Sequence, residues 1–71
     1  MNYIIRYYFD QDFYVSRIVE GNADKEVVLL NYTNGEKIKF TGSQGVVHII
    51  NMDHVKYVNI KDYNGPAPVQ G

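Results

Sequence analysis

Apolar and polar residues alternate from Asn2 to Phe9, so that Tyr3, Ile5, Tyr7 and Phe9 fall on one face. A period of two predicts a half-buried strand. The pattern returns from Phe13 to Glu20, with Phe13, Val15 and Val19 on one face, Arg17 interrupting them, and Tyr14 and Ile18 opposite. Asp10-Gln11-Asp12 lies between the two segments and has the composition of a turn. The two segments predict a first hairpin. Both of its faces are partly apolar, so contacts are expected on each side.

A second pair of apolar segments, Glu26 to Tyr32 and Glu36 to Thr41, flanks Asn34-Gly35. Asn-Gly suits the two positive-φ positions of a type I′ turn, whose twist matches paired strands. A two-residue loop sets Thr33 opposite Glu36, Tyr32 opposite Lys37, Asn31 opposite Ile38, Leu30 opposite Lys39 and Leu29 opposite Phe40. In that register Val27, Leu29, Ile38 and Phe40 form a core face. Val28, Leu30 and Tyr32 share the other face with Lys37 and Lys39. Gly21-Asn22-Ala23-Asp24 and Thr41-Gly42-Ser43-Gln44-Gly45 read as turns on either side.

Val46 to Ile50 is a short apolar strand, with Val46, His48 and Ile50 on one side and Val47 and Ile49 on the other. Asn51-Met52-Asp53-His54 reads as a tight turn or one helical turn capped by Asn51. Val55 to Ile60 closes as the last strand. From Asp62 the Gly- and Pro-containing sequence cannot pair as a central strand, and a flexible tail is expected over 62–71. Five or six short strands without crossover helices predict an all-β domain over 1–61. The expected form is an antiparallel meander curled into a barrel or open roll, of the size of SH3-like and Sm-like barrels. Composition agrees, since Tyr, Val and Ile abound while alanine and leucine each occur twice.

The 71 residues make one domain. A chain of that size buries only about 60% of its unfolded surface, so the core is marginal. The usual supports are disulfides, a metal or assembly. There is no cysteine, which removes disulfides and thiolate metal sites, and two histidines cannot complete a zinc site without carboxylates. Self-association, as a homodimer or higher oligomer, is the support that the sequence leaves open. The windows Arg6 to Phe9 and Val46 to Ile50 reinforce it, because apolar edge strands need covering.

The net charge is −1, which lacks the basic footprint of a general nucleic-acid binder. Residues 1–36 carry three basic and six acidic side chains, and residues 37–71 carry four basic and two acidic ones. The first residues lack a basic start and a long apolar region, since Arg6 interrupts them. No apolar run approaches the ~20 residues needed to cross a bilayer. A cytoplasmic protein that does not engage membranes is expected.

Catalytic chemistry finds little to stand on. Ser16 and Ser43 are hydroxyl nucleophiles, and His48 and His54 are bases, but no spacing brings them together with an orienting third group. Asp10 and Asp12 sit in a turn, where carboxylates bond nearby backbone. Gly42-Ser43-Gln44-Gly45 lacks the lysine and helix of a phosphate loop. His48, Asp53 and His54 form the one metal-like cluster, yet a lone strand histidine usually serves packing. No enzyme activity, cofactor or metal is expected. A deep substrate pocket, usually ~300 Å³ or more, is also hard to build in so short a chain.

Seven tyrosines and no tryptophan are the compositional anomaly. Tyrosine combines a large apolar ring with a polar tip and suits half-buried sheet surfaces and interfaces. Tyr7, Tyr8 and Phe9, followed by Phe13 and Tyr14, gather five aromatics around one turn. Tyr7, Tyr8, Phe13 and Tyr14 are therefore expected to contact another protein, in a small adaptor or inhibitor with an aromatic sheet surface. The alternative is single-stranded nucleic-acid binding by Tyr32, Lys37 and Lys39 on one hairpin face, with Lys56 beside Tyr57. Stacking rings near cations are the ingredients of such recognition.

Overall fold

The computed structural model describes residues 1–22, 24–42 and 45–65. The chain forms strand β1 (Asn2–Tyr8), strand β2 (Tyr14–Glu20), helix α1 (Lys25–Asn31), and strands β3 (Lys37–Thr41) and β4 (Val47–Asn51). A 3-10 turn at Met52–His54 leads into strand β5 (Tyr57–Tyr63). The protein is mostly β, and its five strands make two antiparallel sheets. One has the order β2-β1-β5 and the other is the β3-β4 pair. No closed barrel forms, and the first sheet is not a meander, because β5 returns from the far end of the sequence to pair with β1.

The first hairpin forms as its alternation predicts. Tyr8 faces Tyr14 and Asn2 faces Glu20, and the Phe9 amide donates to the Phe13 carbonyl at 2.9 Å to close the turn. Tyr3, Ile5 and Tyr7 on the inner row of β1 are buried, Tyr7 and Ile5 completely. They pack with Val19, Val28, Ile38, Phe40 and Ile50 in one core. Tyr7 stacks on Phe40 with ring centroids 5.9 Å apart, so the β3-β4 pair lies against the inner face of the three-stranded sheet.

The second predicted hairpin does not form. Residues 25–31 are helical, so Val27 and Leu30 are exposed, while Val28, assigned to the mixed face, is the buried one. The run Val27-Val28-Leu29-Leu30 is continuously apolar and fits both periods, and tertiary context decides such runs. Here β1 is paired on both sides, and β3 pairs with β4 and not with residues 25–31. As a helix it satisfies its own backbone and turns Val28, Leu29 and Tyr32 toward the core. Gly35 still takes a positive φ of 112°, but in the link from α1 to β3. The helix sits close, because a Cβ on Gly21 would approach Val28 Cγ2 to 2.9 Å.

The true partner of β3 is β4, with Ile38 opposite Ile50 and Phe40 opposite His48. Asn51 caps the following turn as expected, its side-chain oxygen accepting from the Asp53 amide at 3.0 Å. The ordered domain runs past residue 61, since Asp62 pairs with Tyr3 and Tyr63 with Asn2. An ion pair from Lys25 to Asp62 at 3.3 Å ties α1 to this strand. The remainder of the expected tail, 66–71, lies outside the described residues.

Arg17, the interruption in the inner row of β2, lies half-buried over two rings. Its guanidinium carbon is 4.5 Å from the Phe40 centroid and 4.7 Å from that of Tyr32. The Tyr7 hydroxyl, beneath the same cluster, donates to the Tyr32 carbonyl at 2.9 Å. Burial lifts the Tyr7 phenol above its ordinary pKa, and the neighbouring Arg17 opposes that rise in part.

Three outcomes test these packing assignments. Val28→Ala is expected to cost ~1.5–3 kcal/mol for its lost buried methyls, and Val27→Ala under ~0.5 kcal/mol. Denaturant titration separates them, and the reverse ranking would restore the strand. Arg17→Ala is expected to cost ~1–2 kcal/mol through lost ring and stem contacts, read by the same titration. The native state holds the Tyr7 proton more tightly than the unfolded chain, so this contribution is whole below pH ~10 and is lost as pH rises through the native pKa. Stability measured across that range should fall with pH, and less steeply in Tyr7→Phe.

Candidate functional site

Alternation in β1 couples the core to a surface. With Tyr3, Ile5 and Tyr7 turned inward, Ile4, Arg6 and Tyr8 point to the opposite face of the same sheet. Their cross-strand neighbours follow from register. Ile4 lies between Ile18 and Lys61, Arg6 between Ser16 and Asn59, and Tyr8 between Tyr14 and Tyr57.

The third of these rows is a line of three tyrosines across three adjacent strands. Tyr8 is 5.0 Å from Tyr14 and 5.4 Å from Tyr57 between ring centroids, with interplanar angles of 37° and 51°. Such tilted pairs stabilise beyond their buried area and hold each ring in place. The Arg6 guanidinium carbon sits 5.3 Å above the Tyr14 ring, and its Nε is shielded from solvent with no hydrogen-bond partner among the described residues. Tyr14 and Tyr57 remain 45% and 58% exposed.

The row ends at an open cleft of about 490 Å³ lined by Tyr8, Asp10, Gln11, Lys56 and Tyr57. The cleft lies between the β1–β2 turn and the start of β5, at the surface and not inside the core. The turn holds its own shape, with the Gln11 amide donating to Asp10 Oδ1 at 2.7 Å. The Lys56 amide donates to the Tyr8 carbonyl at 2.9 Å and brings Lys56 to the rim.

The expected contact cluster divides along the pleat. Tyr8 and Tyr14 meet on the outer face. Tyr7 is wholly buried and belongs to the core, so it offers no contact surface. Phe13 is exposed but packs on Phe9 at 5.5 Å, in step with the inner row. Tyr57 completes the row, although the sequence marked it only as a neighbour of Lys56. Its placement depends on the pairing of β5 with β1, which joins segments some fifty residues apart in a register from Asn2↔Tyr63 to Tyr8↔Tyr57.

The nucleic-acid set does not assemble. Tyr32 closes the C-terminus of α1, and Arg17 covers its ring. Lys37 and Lys39 point outward from β3 beside Asn51 and Ile49, because the hairpin that put Tyr32 among them does not exist. Lys56 alone joins the tyrosine row. His48 rests against Phe40 at 5.2 Å and lies over Gly42, whose absent Cβ would be 3.0 Å from Nε2. His54 is exposed in the 3-10 turn. Among the described residues no group of three His, Cys, Asp or Glu side chains could hold a metal, and no helix is long and apolar enough to cross a membrane. Comparison with family models, with curated proteins and with solved structures finds no match for this chain.

Proposed function

We propose that this domain is a non-enzymatic protein-binding module, a small adaptor or inhibitor, that docks its partner on the outer face of the β2-β1-β5 sheet. The observation that carries the reading is the Tyr14–Tyr8–Tyr57 row with Arg6 laid against it. Tyrosine and arginine dominate the energetics of protein interfaces. Rings already held by their neighbours lose little freedom on docking. The adjoining Ile4–Ile18 pair extends the row into an apolar strip.

Single-stranded nucleic acid is the second reading, favoured by the cations Arg6, Lys56 and Lys61 near the row. Against it, a run of stacked bases needs several open ring faces, whereas Tyr8 is flanked by a ring on either side and Tyr14 by Tyr8 and Arg6, which leaves Tyr57 as the open ring of the row. The net charge of −1 also opposes a polyanion.

Affinity capture from lysate, with and without nuclease, tests the choice when wild type is run beside Tyr8→Ala and Tyr14→Ala. One stoichiometric, nuclease-resistant protein is expected with wild type, and its recovery should fall at least ~10-fold with either variant, in keeping with a tyrosine hot spot. Thermal unfolding confirms that each variant folds. Capture unchanged by both substitutions removes the sheet face from consideration, and loss of the captured material on nuclease treatment selects the second reading.

A further inference from the structure

The outer sheet face is electrostatically lopsided although the whole chain is nearly neutral. Arg6 and Lys61 project from it and Lys56 borders its cleft. The ion pair between Lys25 and Asp62 involves none of them, and no other lies within bonding distance among the described residues. The one carboxylate in the outer rows, Glu20, stands opposite Asn2, four residues and about 13 Å along the strand from Arg6. Asp10 touches the cleft from the turn side, where its Oδ1 is engaged by Gln11.

Arg6 is the least satisfied of the three cations. It is half-buried, its shielded Nε has no acceptor among the described residues, and its guanidinium lies over the Tyr14 ring. Because its Nε is shielded, a docked carboxylate would meet this guanidinium through the terminal Nη groups, in a charge-assisted hydrogen bond. Beside it the Tyr8–Tyr57 cleft has ring walls suited to an apolar side chain.

We propose that the segment docked on this face is an acidic peptide of the partner protein, with a carboxylate on Arg6 and an adjacent aliphatic or aromatic side chain in the Tyr8–Tyr57 cleft. This rests on the protein-binding reading above and names the chemistry of the partner. Lys56 and Lys61 flank the bound segment and add long-range attraction, so association should weaken as salt rises. A short acidic segment suits three cations better than a phosphate chain does, because Asp10 and Glu20 stand at either end of the face and would repel a longer polyanion.

The test selects a display library of random twelve-residue peptides on the immobilised full chain, with counter-selection on Tyr8→Ala. Peptides that need Tyr8 are expected to be enriched in Asp and Glu around a Leu, Ile, Phe or Tyr. Their affinity should drop ~10-fold in Arg6→Gln and several-fold between 50 and 300 mM salt. Tyr57→Ser, at a more exposed ring, serves beside Tyr8→Ala, and both are checked by thermal unfolding. Tyr8-dependent peptides without acidic enrichment, or binding indifferent to Arg6→Gln, would overturn the acidic-segment proposal and leave the sheet-face reading intact. Failure to recover any peptide that needs Tyr8 or Tyr57 would overturn both, as would Tyr8-dependent binding of a ten-residue oligothymidylate.

Discussion

Strand β1 is hydrogen-bonded on both sides along its length, to β2 and to β5, and its inner row is the floor on which the rest of the molecule is laid. Tyr3, Ile5 and Tyr7 are buried there against residues from α1, β3 and β4. In a domain this small the core is thin, so few positions carry most of the apolar burial. Tyr7 does two things at once: its ring stacks on Phe40 and its hydroxyl binds the carbonyl at the end of α1. That single side chain connects the three-stranded sheet to the helix and to the second sheet.

The same constraint creates the surface proposed to work. Because β1 is central and the core covers its inner face, its even-numbered residues stand between two neighbours in fixed register. Tyr8 is held between Tyr14 and Tyr57 by the pairings that bury Tyr7 one residue away. The tyrosine row is therefore stiffened by the core beneath it. Arg17 and Arg6 show the two uses of a cation in such a sheet. The inward Arg17 lies over Tyr32 and Phe40 and serves packing, whereas the outward Arg6 has one ring and, among the described residues, no carboxylate.

Much of the first sheet was legible in the chain. The alternation from Asn2 to Glu20 states which side chains meet, and Tyr8 and Tyr14 lie opposite each other as a short hairpin requires. Asn51 announced its cap, because an Asn before a polar turn has an amide two residues ahead to bind. Around Asn34-Gly35 the same reasoning failed. The dipeptide supplies a turn whichever elements flank it, and Val27-Val28-Leu29-Leu30 offers an apolar face to a strand and to a helix alike.

Local periodicity and turn chemistry, both properties of neighbouring residues, determined the β1-β2 hairpin, its inner and outer faces and the Asn51 cap. What lies between distant segments was decided only in the tertiary structure. The return of β5 to the free edge of β1 placed Tyr57 and Lys56 beside Tyr8. The pairing of β3 with β4 replaced the hairpin expected around Asn34-Gly35, and residues 25–31 pack on the core as a helix. Both outcomes depend on contacts between segments distant in sequence, which no local pattern specifies.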